Sequence, residues 1–90
     1  PDFILPNGII IEAKGFFRTH AQRALKAVKK EHPKLDIRLV FYNQNQKVQG
    51  SNLKCYEWAV KYKFKFFTIS QGINIKKYYI KCNKILHVKT

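Results

Sequence analysis

Three residues near the start of the chain have the types and spacing needed for phosphodiester hydrolysis. Asp2 follows a proline, and Glu12 stands two residues before Lys14. A phosphodiester resists attack because its own charge repels nucleophiles, so an enzyme uses divalent cations to neutralise the phosphate and to acidify a water. Carboxylates supply the hard oxygen ligands that Mg²⁺ prefers. The pattern therefore predicts a metal site at Asp2 and Glu12, beside an ammonium group that can reach the water or the phosphate.

The positions of these side chains on a strand set a geometric condition. Residues two apart on a strand face the same way, so Glu12 and Lys14 project together, while Ala13 faces away and offers its carbonyl as a further ligand. A plain two-residue Asn-Gly turn would pair Asp2 with Ala13 and place Asp2 on the wrong face. We therefore expect an odd-length loop or a one-residue bulge that returns Asp2 to the face of Glu12.

The elements that must position these residues alternate between strands and helices. The first two strands form a hairpin around the Asn-Gly dipeptide, Thr19 and Ser51 are the expected caps of two helices, and a strand follows each helix. The predicted elements are strands 2–6 and 8–14, a helix 19–31, a strand 36–42, a helix 51–62 and a strand 65–70. This order predicts an α/β domain with a small mixed sheet flanked by helices. We expect a core over residues 1–70, followed by a basic extension, 71–90, of unassigned structure.

Periodicity also predicts which side chains are buried. The inward stripes of the two helices are expected at Ala21, Ala24, Leu25 and Val28, and at Cys55, Tyr56, Ala59 and Val60. The strand 36–42 is apolar on both faces, which indicates a central position covered by helices. Its lone cation, Arg38, should pair with Asp36 or reach a phosphate.

The charge of the chain indicates a polyanionic partner. Eighteen Lys and Arg residues stand against five Asp and Glu, which gives a net charge of +13. No apolar run is long enough to span a bilayer, and no strongly amphipathic helix of the membrane-surface type is present, so nucleic acid is favoured over a membrane. The two cysteines show no zinc-site spacing and fit a reduced cytoplasm. The candidate DNA-binding residues are Arg18, Arg23, Lys26, Lys30, Lys47 and Lys54, and the alternative for each is an ordinary solvated charge.

The segment around these three residues resembles a known family. The run Pro-Asp-Phe-Ile-Leu-Pro-Asn-Gly-Ile-Ile-Ile-Glu-Ala-Lys-Gly, residues 1–15, resembles the active-site hairpin of the phage endonuclease I family of Holliday-junction resolvases, which are PD-(D/E)xK nucleases. Residues 32–41, 50–56 and 63–66 resemble the elements that follow it in the family. The resemblance covers about residues 1–68.

This resemblance implies a structure-selective endonuclease that cuts four-way and other branched DNA in the cytoplasm of a bacterial or phage-infected cell. It implies Mg²⁺, for which Mn²⁺ can substitute, with Asp2 and Glu12 as metal ligands and Lys14 as the catalytic lysine. In the family an N-terminal segment carries another active-site acid and exchanges between the subunits of a homodimer. We expect this sequence to form the restriction-endonuclease-like core without that segment. Two alternatives remain: another PD-(D/E)xK nuclease, such as a restriction or nicking enzyme, and a DNA-binding module without catalysis.

Overall fold

The computed structural model describes residues 3–69, so Asp2 and the predicted extension 71–90 lie outside the described residues. The secondary structure follows the predicted order of strands and helices. The elements are β1 (Phe3–Ile4), β2 (Ile10–Lys14), α1 (Thr19–Glu31), β3 (Ile37–Phe41), α2 (Cys55–Lys61) and β4 (Lys65–Thr68).

The strands form one four-stranded sheet in the order β1-β2-β3-β4. β1 pairs antiparallel with β2, whereas β2, β3 and β4 run parallel to one another. Each parallel neighbour is reached through a helix, as crossover connections between parallel strands require. The predicted small mixed α/β sheet is therefore confirmed.

The buried side chains form two clusters, one on each face of the sheet. The larger cluster contains Trp58 and Leu25 from the helices together with Leu39 and Phe41 from β3. The smaller cluster joins strand and loop residues, and its members are Leu5, Ile9, Ile11, Val40 and Ile69. Within residues 3–69, both helices contribute to the first cluster and neither contributes to the second. The expectation that helices cover β3 on both faces is therefore met on one face only within this range.

The start of α1 differs from the prediction that Thr19 caps it. Thr19 is the first helical residue, and the N-cap position belongs to Arg18, whose side chain makes no capping hydrogen bond. The Thr19 backbone N–H donates instead to the Gln49 side-chain oxygen at 3.0 Å. A glutamine thirty residues away thus satisfies a helix-end N–H, which no local sequence pattern could predict.

The buried face of α1 also departs from the predicted stripe. Leu25 is buried and Ala21 and Val28 are partly buried, but Ala24 is exposed. Gln22 is buried in its place. Its amide nitrogen donates to the backbone oxygens of Phe17 and Gln49, each at 2.9 Å, so this polar side chain is compatible with burial.

The second helix is shorter than predicted, and Ser51 does not cap it. Ser51 Oγ accepts a hydrogen bond from the Leu53 N–H at 3.0 Å, which stabilises a turn rather than a helix. The helix starts at Cys55, and the Glu57 carboxylate accepts the Lys54 N–H at 2.9 Å.

The buried side chains of α2 match the predicted stripe only in part. Cys55 and Ala59 are buried as predicted, and so is Trp58. Tyr56 is only partly buried, and Val60 is 64 % exposed, so the inward position predicted for Val60 is wrong.

Candidate active site

The loop of the first hairpin has the odd length that the site requires. The Leu5 N–H donates to the Ile9 oxygen at 2.8 Å, and the Gly8 N–H donates to the Leu5 oxygen at 2.9 Å, which leaves a loop of residues 6–8. Gly8 adopts φ +88°, the left-handed conformation that glycine accepts without steric cost. The resulting register pairs Phe3 with Ile11. The odd-length loop is confirmed for the described residues, whereas the placement of Asp2 stays a prediction.

Glu12 and Lys14 lie on the same face of β2, the face that carries α1 and α2. The Lys14 Nζ is 3.6 Å from the Glu12 Oε2, and the two side chains are only 23 % and 17 % exposed, respectively. Their neighbours in register on β3 are Phe41 and Leu39, and both are fully buried. An apolar wall therefore lies next to the ion pair, which strengthens its electrostatic interaction relative to one in open water.

The Glu12 and Lys14 side chains line a cleft between β2 and α1. Its volume is about 230 Å³, and its lining is apolar apart from Glu12 and Lys14. The other lining residues are Ile10, Ala21, Ala24, Leu25, Val28 and Ile37. The alanines leave space beside the strand because they carry no side chain beyond Cβ. A phosphate group has room to approach the ion pair from this side.

The cleft offers one carboxylate to a metal ion from the described part of the chain. Within residues 3–69, no three His, Cys, Asp or Glu side chains gather at a possible metal site. The carboxylate that lines the cleft in that range is Glu12. Mg²⁺ keeps several waters and is commonly held by one or two carboxylates plus substrate phosphate, so a single described carboxylate is compatible with it. The predicted ligand roles of Asp2 and of the Ala13 carbonyl stay predictions.

The six predicted DNA-binding residues are all exposed. Arg23, Lys26 and Lys30 lie on α1. Lys47 and Lys54 lie opposite each other, because an isolated antiparallel bridge joins them. The Arg18 guanidinium stacks over the Phe16 ring at 5.4 Å, and the Lys26 ammonium lies 4.7 Å from the Tyr62 ring centroid. These residues are accessible, and their contact with DNA stays a prediction.

Arg38 pairs with Asp36, which was one of its two predicted roles. The Arg38 Nε and Nη2 donate to the two Asp36 carboxylate oxygens at 3.2 and 3.0 Å. This hydrogen bonding from Arg38 is the main reason that the pKa of Asp36 lies below its ordinary value, and the Lys65 charge acts in the same direction. The Arg38 guanidinium is therefore already paired with a carboxylate.

Cys55 is a buried free thiol in the first core cluster. Burial raises its pKa because the thiolate form loses solvation there. A thiol with a raised pKa is a poor nucleophile, so we expect Cys55 to be chemically inert.

A second charged cleft was missed in the sequence. It lies where β3 and β4 begin, and it brings together lysines from separate elements: Lys29, Lys34, Lys63 and Lys65. These residues share no spacing or motif, so the only available indication was the overall excess of positive charge.

Within residues 3–69, no helix is long and apolar enough to cross a membrane.

Comparisons with known proteins agree with the resemblance seen in the sequence. The chain matches the phage endonuclease I family over residues 1–88, beyond the stretch 1–68 that the resemblance covered. It is 43 % identical over 63 residues to endodeoxyribonuclease 1 of Enterobacteria phage T3, covering 69 % of this chain and 41 % of that protein. It is 39 % identical over 67 residues to endonuclease I of Escherichia phage T7, covering 73 % of this chain and 45 % of that protein. The aligned segments thus span less than half the length of either relative.

Proposed function

Since this chain belongs to the phage endonuclease I family, we propose that it carries the catalytic core of a magnesium-dependent endonuclease for branched DNA, such as four-way junctions. The proposal includes a PD-(D/E)xK type of core and, for the full-length protein, a homodimer in the cytoplasm of the infected cell. The names of the two phage relatives support a DNA endonuclease. Selectivity for branches rests on the family resemblance alone.

The observation that carries the proposal is the pairing of Glu12 and Lys14 at the mouth of the cleft on β2. Their charged atoms are 3.6 Å apart and both side chains are mostly buried. An ion pair whose only role was solubility would lie in open solvent. Here a carboxylate and an ammonium are held beside space for a ligand, in a chain with net charge +13 that attracts a polyanion.

The chemistry assigned to these residues is the attack of water on a DNA phosphodiester. Glu12, and Asp2 if it joins the same face, would hold Mg²⁺, which when bound neutralises the phosphate charge and lowers the pKa of a coordinated water. The Lys14 ammonium would donate a hydrogen bond to a phosphate oxygen whose negative charge grows in the transition state. The apolar side of the cleft lowers the local dielectric around this interaction and thereby strengthens it.

The described hairpin register supports the inclusion of Asp2. The loop of residues 6–8 pairs Phe3 with Ile11, which is the register that an acid preceding Phe3 needs in order to share a face with Glu12. A two-residue turn would have shifted this pairing by one position and removed that support.

The test is cleavage of an end-labelled four-way DNA junction by the full-length protein, with and without Mg²⁺ and in the presence of competing linear duplex. The expected result is magnesium-dependent cutting of the junction that persists under competition. Lys14→Met should reduce cutting strongly and leave junction binding intact in Ca²⁺ buffer. Equal cutting of linear duplex would favour a restriction or nicking enzyme, and binding without cutting would leave a DNA-binding module.

A further inference from the structure

A basic cleft lies at the edge of the sheet where β3 and β4 begin. Its volume is about 340 Å³. Its lining comes from α1, from the connection between α1 and β3, from the turn before β4 and from the first residues of β3 and β4: Lys29, Lys34, Leu35, Asp36, Ile37, Lys63 and Lys65. We call this the lysine cleft. Four ammonium groups and one carboxylate line it, so its charge is strongly positive.

The single carboxylate of the lysine cleft is already engaged. Asp36 accepts two hydrogen bonds from Arg38 and lies 3.8 Å from the Lys65 ammonium. Within residues 3–69, no ion pair joins Lys29, Lys34 or Lys63 to a carboxylate. Three cations of the cleft therefore lack an anionic partner from the described part of the chain.

The Lys29 side chain lies against the wall of the cleft, where its ammonium contacts other residues of the chain. Its ammonium donates a hydrogen bond to the Lys63 carbonyl and lies 4.3 Å from the Phe64 ring centroid. Desolvation by burial, followed by repulsion from the Lys63 charge, lowers its pKa. Repulsion between these neighbouring cations is a cost that a bound anion would relieve.

Lys63 occupies a backbone conformation that does not favour lysine. Its φ is +62°, and it is the one non-glycine residue with a positive φ within residues 3–69. Glycine and asparagine adopt this left-handed conformation more readily. The side chain at this turn therefore supplies a charge where the backbone alone would favour another residue.

The lysine cleft is separate from the pair Glu12 and Lys14. In the sheet register, Lys65 is level with Arg38 and Ile11, whereas Lys14 is level with Phe41. The backbone positions of Lys65 and Lys14 are therefore offset by three residues along the strands and by two strands across the sheet. With a rise of about 3.3 Å per residue and a strand spacing of about 4.8 Å, this offset corresponds to a distance of about 14 Å. One phosphate group cannot contact both places.

We propose that the lysine cleft binds the phosphodiester backbone of DNA at a phosphate other than the one that is attacked at Glu12 and Lys14. This inference rests on the proposed function, because DNA is its ligand. Lysine binds phosphate as a flexible point charge without reading base sequence, so the cleft adds affinity and helps to fix the position of the DNA backbone. Four-way junctions and duplexes both offer such a phosphate.

The test uses equilibrium binding of a fluorescent four-way junction to the full-length protein without Mg²⁺, over a series of salt concentrations. The variants are Lys34→Gln, Lys63→Asn and their combination. Each lost phosphate contact should reduce the slope of log affinity against log salt by about 0.9, and the double variant should bind roughly tenfold more weakly at moderate salt. Lys63→Asn should retain or raise Tm, because asparagine tolerates its φ.

The matched control is Lys61→Gln, which removes the same charge from an exposed site on α2 outside the cleft. Its affinity and salt slope should stay near the parent values. Equal weakening by Lys61→Gln and Lys34→Gln would show a general field effect and overturn the proposal, and so would an unchanged double variant. Because binding is measured without cleavage, a parent protein that binds through this cleft but does not cut would refute only the proposed function.

Discussion

The two charged clefts of this domain differ in the sign, burial and spacing of their groups. At the cleft lined by Glu12 and Lys14, one carboxylate and one ammonium are 3.6 Å apart and mostly buried. At the lysine cleft the groups are mainly of one sign, and the Lys65 side chain is 67 % exposed. Chemistry at a phosphate needs opposite charges fixed at short range beside an apolar wall, whereas holding a backbone needs only positive charge within reach.

This comparison predicts that the two clefts can be disabled separately. Substitutions at Glu12 and Lys14 should lower the cleavage rate with little effect on metal-free binding. Substitutions in the lysine cleft should lower affinity and salt dependence, with little effect on the rate at saturating DNA.

The largest effect is expected for Glu12→Gln. This change keeps the shape of the side chain but removes the charge that would hold the cation, so single-turnover cleavage of a junction should fall by at least ~10³-fold. Glu31→Gln is the matched control, because it removes the same charge from an exposed residue at the end of α1. If Glu12→Gln retained full activity, the assignment of the active site to this face of β2 would be wrong.

A large loss of stability is expected for Trp58→Ala, which tests the core that supports both clefts. The Trp58 side chain is 1 % exposed and packs against Phe17, Tyr62 and Phe64. Truncation of a buried tryptophan costs about 3 to 5 kcal/mol, a large part of the stability of a small domain. Val60→Ala on the same helix should cost less than about 0.5 kcal/mol because Val60 is 64 % exposed. Urea unfolding of the two variants measures the difference, and equal losses would contradict the core described for α2.

A smaller effect is expected for Lys14→Met, which separates catalysis from binding. Loss of one preorganised donor to the transition state should reduce the cleavage rate by roughly 10² to 10³-fold. Junction affinity in Ca²⁺ buffer should change by less than about threefold, because a single phosphate contact contributes little to total affinity. If affinity fell in proportion to the rate, Lys14 would be a binding residue, and the contrast between the clefts would fail.

The smallest effects are expected for Asp36→Asn, and they should have opposite signs. Loss of the pairing with Arg38 and Lys65 should reduce stability by about 1 kcal/mol. Removal of the carboxylate from the lysine cleft should raise DNA affinity by roughly fivefold or less. Reduced affinity would contradict the assignment of this cleft to phosphate binding.

The stability difference should also depend on pH. The pKa of Asp36 in the folded state lies below its ordinary value of 3.8, so its charged form stabilises the fold. This contribution is fully present above about pH 5 and is lost as the pH falls through 3.8 toward the lowered pKa. Unfolding free energies of the parent and of Asp36→Asn should therefore converge in acid, and a gap that persisted at the lowest pH would show that the pair is not its source.

The sequence predicted the order of elements because strand and helix patterns are local. Alternating β-branched residues, the amphipathic stretch of α1 and the turn residues all act within a few positions. The odd-length loop followed from one requirement, that acids on two paired strands share one face of the sheet, on which side chains alternate with period two. Family membership was also visible from the short segment around Glu12 and Lys14.

Helix ends and partners distant in sequence depended on tertiary contacts. Ser51 favours a helix start in isolation, yet the backbone pairing of Val48 with Leu53 holds that segment in a turn and delays α2 to Cys55. Gln22 was not predicted to be buried, because its partners Phe17 and Gln49 come together only in the folded chain.

By itself the sequence determined the class of fold, the family and the residues whose types suit phosphodiester chemistry, since these depend on composition and on spacing along one strand. Tertiary structure decided which charges share a cleft. Lys29, Lys34 and Lys63 lie on different elements, and parallel pairing of β3 with β4 brings those elements to one edge of the sheet. Electrostatic interactions act through space over a few ångströms, whatever the separation of the groups along the chain.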